Sequence, residues 1–262
     1  MKNKSPFVVF SAGAAVGTLG GLIGLGGAEF RLPLLIGVFG FSALPAIILN
    51  KAMSLAVVAA ALPFRASSIS FADLFSHWQI IVTLLTGSLL GAWLGAGWAT
   101  KLKTYTLYRV LAFLLVAIDL ASLIGHNPSN PTASLLSGIF LSIVGALVGF
   151  GIGVIAALMG VAGGKLLIPT IVLLFGVDLK LAGSLSLAFS LPTMIVAFTR
   201  YSKDQSFSVI KSEMPFVITM VTGSLTEAYI GSRLLGIIPT TFLLPILAII
   251  LLVSAVKVWG HT

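Results

Sequence analysis

Long apolar runs, separated by short polar or glycine-proline breaks, set the rhythm of this chain. In the first half they fall at about Pro6–Gly24, Phe30–Phe41, Leu44–Phe64, Trp78–Thr100 and Leu107–Gly125. A stretch of helix breakers, Gly125–Thr132, then interrupts the pattern. The runs resume at about Ala133–Gly160, Leu166–Val177, Leu179–Thr199, Met214–Leu235 and Thr241–Trp259. A helix needs roughly 20 residues to cross a ~30 Å hydrocarbon core. The second run of each set has only about a dozen residues, too few to cross alone, and follows a Gly-Gly break.

The two sets are copies. Gly24–Pro33 (GLGGAEFRLP) is echoed by Gly160–Pro169 (GVAGGKLLIP), an offset of 136 residues measured from Gly24 to Gly160. The same offset pairs Phe39-Gly40 with Phe175-Gly176, Ser54-Leu55 with Ser190-Leu191, and Ser70-Phe71 with Ser206-Phe207. It also pairs Thr86–Leu89 with Thr222–Leu225, the sequence Thr-Gly-Ser-Leu in both places. One ungapped offset linking so many matches marks a duplication. The chain therefore divides into an N-terminal transmembrane repeat, 1–126, a connector, 127–136, and a C-terminal transmembrane repeat, 137–262. The expected fold is an all-α polytopic membrane protein, each repeat holding about five helical elements.

Composition sharpens this picture. Of 262 residues, 58% are hydrophobic and 8% charged, and the net charge is +8. Soluble domains run near 25% charged, so a cytosolic enzyme or a nucleic-acid binder is excluded and the lipid bilayer becomes the expected partner. Lys2 and Lys4 ahead of an apolar run imitate a signal peptide. The same pattern recurs mid-chain, which argues against cleavage. With no cysteine, and with His77, His126 and His261 far apart, no metal site or other cofactor is expected.

Charge also orients the chain. With five crossings per repeat and the N-terminus inside, ten basic residues fall on the cytoplasmic side (Lys2, Lys4, Lys101, Lys103, Arg109, Lys165, Arg200, Lys203, Lys211, Lys257). Four (Arg31, Arg65, Lys180, Arg233) fall outside, and Lys51 lies within a span. This positive-inside bias predicts inverted repeats in the cell inner membrane with both termini cytoplasmic. If the short elements are re-entrant, the repeats are instead parallel and the bias weakens.

The breaks carry the candidate chemistry. Glycines let the chain turn and let a ligand approach main-chain N–H groups. A helix starting at membrane depth offers unpaired donors and the positive end of its dipole. Pro33 and Pro169 lie in or near the first turns, where proline costs no hydrogen bond. Such a pair of short, interrupted helices at matching places is a pointer to a transporter binding site. The competing interpretation is close helix packing, which accounts better for isolated glycines such as Gly91, Gly95 and Gly97.

The two copies of the Gly-rich break followed by proline resemble the TauE/SafE sulfite exporter family, as do the small-polar stretches Ala46–Ser54 and Ala182–Ser190. The resemblance covers essentially the whole chain. It departs from the family's usual three-glycine run, since the first copy reads Gly-Gly-Ala and charges enter at Glu29, Arg31 and Lys165. It implies secondary transport of a small sulfur oxyanion, sulfite, a sulfonate or similar, by alternating access. A passive anion channel shares the same repeat logic. An intramembrane enzyme has no nucleophile motif to rest on.

The expected substrate shell consists of main-chain N–H groups at Gly26, Gly27, Gly163 and Gly164, completed by Asn50, Ser54, Ser186 and Ser190. Lys51 is either the compensating cation or a snorkelling side chain. Thr86 and Thr222, with Ser88 and Ser224, offer hydroxyls for an anion or for gluing helices together. Glu227, about mid-span, is the candidate proton-coupling carboxylate. Glu29 and Lys165 occupy equivalent positions and are either cavity-mouth charges or ordinary loop charges.

Overall fold

The computed structural model describes residues 5–23, 27–66, 76–124, 138–177 and 179–234; the side chains of 19–23, 61–66, 118–124, 179–180, 184, 187 and 226–234 fall outside that description. The first repeat contributes α1 (Pro6–Ile23), α2 (Ala28–Gly37), α3 (Ala43–Ala66), α4 (Trp78–Ala99) and α5 (Thr104–Ile124). The second contributes α6 (Gly138–Met159), α7 (Gly164–Phe175), α8 (Leu179–Tyr201), a 3₁₀ turn at Gln205–Ser208, the short α9 (Val209–Ser212) and α10 (Met214–Leu234). No strand occurs among the described residues. The tenth apolar run, Thr241–Trp259, and the Gly125–Thr132 connector lie outside them.

Among the described residues, α3 over Ala43–Ala60, α4, α6, and α8 over Leu181–Tyr201 are long and apolar enough to cross a membrane. The outer surfaces of α4 and α6 expose Leu90, Leu94, Ile139, Phe140, Ile143 and Leu147, the faces that lipid would cover. Small residues face inward instead. A β-carbon added at Gly87 would collide with the Ala146 carbonyl, one at Gly91 with that of Phe150, and one at Gly153 with that of Ser88. Helices in lipid gain nothing from burying apolar surface against each other, so close backbone approach supplies the attraction.

These contacts expose the symmetry. α4 packs along α6, and α1 along α10. Gly17 meets Ser224, Gly13 meets Met220, and Gly223 meets Phe10. Shifted by the repeat offset, these become Gly153 with Ser88, Gly149 with Leu84, and Gly87 with Ala146, all observed. Each repeat therefore lends its third long helix to the first helix of the other. α3 packs on α8 between them, where Leu55, Val58, Leu191 and Met194 form one apolar cluster with Ala162.

The two short helices begin two residues earlier than the apolar pattern suggests, because glycines in the left-handed region end the breaks. Gly27 (φ 63°) caps α2 and Gly163 (φ 82°) caps α7. Pro33 and Pro169 consequently sit in the second turn, deeper than expected. There proline removes the bond to the carbonyl four residues back. The carbonyls of Glu29 and Lys165 thus lose their intrahelical partners.

At one end of the molecule, charges from both repeats gather. The Arg200 guanidinium and the Lys203 ammonium lie 5.3 and 5.0 Å from the centre of the Trp93 ring. Lys101 and Lys103, exposed, follow α4 at the same end.

Candidate polar site at the paired helix breaks

The starts of both short helices are buried within the bundle. The amides of Phe30 and Arg31 donate to the Gly27 carbonyl at 3.1 and 3.3 Å, and those of Leu166 and Leu167 to the Gly163 carbonyl, each at 3.0 Å. The earlier N–H groups of each short helix have no acceptor within it. The two starts are neighbours, since the Lys165 ammonium sits 4.8 Å from the centre of the Phe30 ring.

The carbonyl side of the second break is held most completely. α6 ends in a Schellman turn, with Gly160 (φ 69°) donating to Ala157 and Val161 donating to Ala156, both at 3.0 Å. The Lys51 ammonium donates to the carbonyls of Ala156 (2.9 Å) and Val161 (2.7 Å). The Tyr201 hydroxyl donates to Ala157 at 2.9 Å. The Ser190 hydroxyl donates to Ala162 at 2.8 Å. The Asn50 amide donates both to Met159, at 3.1 Å, and to Ala28, at 3.0 Å. A single side chain from α3 thus ties the second break to the start of α2. Lys51 also places positive charge at the carbonyl end of α6, where the helix dipole is negative.

The residues singled out from sequence therefore separate by role. Asn50, Lys51, Ser54, Ser186 and Ser190 are all buried, and Asn50, Lys51 and Ser190 bond directly to carbonyls of the second break. Lys51 does not snorkel; it is fully buried. The Ser186 hydroxyl donates to Gly183 of its own helix at 2.8 Å. Gly27, Gly163 and Gly164 line the breaks, while Gly26 lies outside the described residues. A β-carbon on Gly27 would strike the Val16 carbonyl. This glycine is required by packing and by its φ, with or without a ligand.

Thr86 and Thr222 face outward, bonded to carbonyls of their own helices (Thr83, and Ile218 with Thr219). The inward hydroxyls of the same motif are Ser88, 2.8 Å from that of Thr193 on α8, and Ser224, which donates to Gly13 on α1 at 3.1 Å. Both join helices. Glu227 belongs to α10, but its side chain falls outside the described residues.

Charge counting from sequence places Arg31 on an outer surface. The structure corrects this: Arg31 lies in the first turn of α2 and has no exposed area. Its guanidinium donates to Ser54 at 3.3 Å and Ser224 at 3.4 Å. Glu29 and Lys165 are likewise buried rather than in solvated loops. The signal for Arg31 was present in the sequence, as a lone arginine in an apolar helix just past a break. Intramembrane charges of that kind are expensive and generally serve function.

A polytopic helical membrane protein, built from two interlocked repeats with discontinuous helices at its centre, has the form of a transporter. The model of the family described as "Sulfite exporter TauE/SafE" matches residues 9–258, and the chain belongs to that family. Membership implies membrane transport of the sulfite or sulfonate type, with a small anionic sulfur substrate. No curated protein and no solved structure matches the chain.

Replacing Lys51 with Met removes two charge-assisted hydrogen bonds, each contributing on the order of 1.5–3 kcal/mol. Lys51→Met is expected to lose about 2–4 kcal/mol of stability in micelles by denaturant or thermal unfolding. Thr86→Ala, on the outer face, should stay within about 0.5 kcal/mol of wild type. A Lys51→Met protein as stable as wild type would remove the ammonium from this structural role.

Proposed function

We propose that this protein is a secondary transporter that carries sulfite, a sulfonate or a similar small sulfur oxyanion by alternating access. The meeting of the two Gly-capped helix starts, one from each repeat, at the bundle centre carries the proposal. Two helix N-termini direct unpaired N–H groups and positive dipole ends toward a common region, a favourable place for an anion. Gly27, Gly163 and Gly164, with Gly26 outside the described residues, are the proposed main-chain donors, and Ser54, which accepts from Arg31, is the neighbouring hydroxyl. Asn50, Ser186 and Ser190 shape the site through the carbonyls they hold, and Lys51 adds positive field from behind. A few charge-assisted bonds of about 1.5–3 kcal/mol support affinity in the micromolar to millimolar range, compatible with release.

The repeats are read as inverted, with both termini cytoplasmic in the cell inner membrane. The gathering of Lys101, Lys103, Arg200 and Lys203 at one end supports this, since those residues come from both repeats and a cytoplasmic face collects positive charge. In the chain, which has no native cysteine, a probe at Ser129→Cys should be labelled from outside the cell and one at Lys103→Cys should not. Labelling of both, or of Lys103→Cys alone, contradicts the inverted arrangement.

Glu227 is assigned proton coupling, as a carboxylate carried by α10 of the second repeat. Proteoliposomes with an imposed proton gradient should accumulate sulfite against its own gradient. Glu227→Gln should remove the pH dependence of net flux and leave anion exchange largely intact. Flux that only ever runs downhill identifies a passive channel. Unchanged pH dependence in Glu227→Gln removes that residue from coupling.

A further inference from the structure

We propose that Arg31 is the residue that pairs directly with the transported anion, in a site built for a single negative charge; this rests on the transporter reading above. Three buried cations stand at the breaks, and they are employed very differently: Lys165 lies 4.8 Å from the centre of the Phe30 ring. Lys51 reaches two carbonyl oxygens at 2.9 and 2.7 Å, the short contacts of a satisfied ammonium. Arg31, with no exposed area, reaches among the described residues only two neutral hydroxyls, at 3.3 and 3.4 Å. Its Nε has no hydrogen-bond partner among the described residues. A guanidinium is a planar fork of donors that matches two oxygens of an oxyanion at once. Leaving such a group buried and under-used is costly unless something else occupies it for part of the cycle.

Its two hydroxyl partners come from different repeats. Ser54 belongs to α3 of the first and Ser224 to α10 of the second. An anion that captures Nε and one terminal nitrogen displaces the longer bond, to Ser224, and so loosens α10 from α2. Substrate binding and the contact between repeats then compete for one side chain. That is the differential contact an alternating-access transporter needs between its states.

Charge fixes the class of substrate. Glu29 shares the first turn of α2, is buried, and lies close enough to Arg31 to act on it electrostatically, while its Oε2 has no hydrogen-bond partner among the described residues. The position equivalent to Arg31 in the second repeat is Leu167, fully buried in an apolar cluster with Ile152, Ile171 and Leu185. Lys51 is held by two carbonyls and Lys165 is set over the Phe30 ring. The Arg31 guanidinium, beside Glu29, is thus the cation at the breaks with an unpartnered donor among the described residues. One free donor edge matches a single negative charge better than two at low dielectric. The site therefore favours a singly charged sulfur oxyanion, such as a sulfonate or hydrogensulfite, over dianionic sulfate.

The test is anion-dependent thermal stabilisation of the purified full chain in micelles, titrated with methanesulfonate, sulfite, sulfate, acetate and phosphate. Wild type should be stabilised by methanesulfonate and sulfite, with sulfate at least about tenfold weaker. Arg31→Gln should raise the half-saturating methanesulfonate concentration at least about tenfold, and Thr86→Ala, on the outer face, should leave it unchanged. An Arg31→Gln protein with wild-type half-saturation overturns the role of Arg31 while leaving the transport reading intact. Sulfate binding as tightly as methanesulfonate overturns the single-charge assignment. If wild type responds to acetate or phosphate alone and Arg31→Gln abolishes that response, the sulfur reading fails and the arginine role stands. No response of wild type to any of the five overturns both. Should Arg31→Gln not fold, Ser224→Ala decides: half-saturation lowered about threefold or more supports the exchange of partners, and an unchanged or raised value contradicts it.

Discussion

Opening a helix inside a membrane leaves carbonyl oxygens without donors where no water can replace them, and the rest of this structure is arranged around that demand. Between Ala156 and Ala162 the end of α6 presents carbonyls to the protein interior, and Lys51, Asn50, Tyr201 and Ser190 converge on them from α3 and α8. Each unsatisfied group there would cost several kcal/mol, so irregular backbone survives at this depth only where protein supplies the partners. The donors are rigidly placed because α3 and α8 pack against each other at the pseudo-symmetry axis.

The duplication has diverged where this demand is met. Asn50 and Lys51, which hold the second break from the first repeat, correspond to Ser186 and Leu187 in the second. Arg31 corresponds to Leu167, and Glu29 to Lys165. The scaffold contacts, by contrast, are reciprocal almost residue for residue, as Gly17 with Ser224 and Gly153 with Ser88 illustrate. Packing is thus symmetric and polar chemistry is not. The second break keeps a buried cation, Lys165, while the guanidinium and the carboxylate stand at the first alone.

Much of the fold is legible in the sequence because lipid demands long apolar runs and duplication repeats them. The run at Trp78–Thr100 and the helix at Trp78–Ala99 differ by one residue. The starts of α2 and α7 were less legible, since the left-handed glycines at 27 and 163 begin each helix before the apolar pattern does. In the site, the buried positions of Asn50, Ser54, Ser186 and Ser190 follow from small polar residues in an apolar helix. Their partners do not, because sequence spacing cannot tell a hydroxyl that awaits a ligand from one bonded to a carbonyl of a distant break. Thr86 and Ser88 show the same limit: two residues apart on α4, they face opposite ways. Arg31 was misplaced for a related reason. Counting charges toward a membrane face treats every arginine as exposed, and the guanidinium buried between Ser54 and Ser224 is the exception that the count cannot see.

The central claim, that a sulfur oxyanion is held where the first break presents Arg31, is tested most directly by locating a heavier analogue. Crystals of the full chain grown with selenite, measured at the selenium absorption edge, should show an anomalous peak within hydrogen-bond reach of the Arg31 guanidinium and next to the Gly27 and Gly163 helix starts. A selenium peak elsewhere in the bundle, with the Arg31 guanidinium still bonded to Ser54 and Ser224, would contradict it.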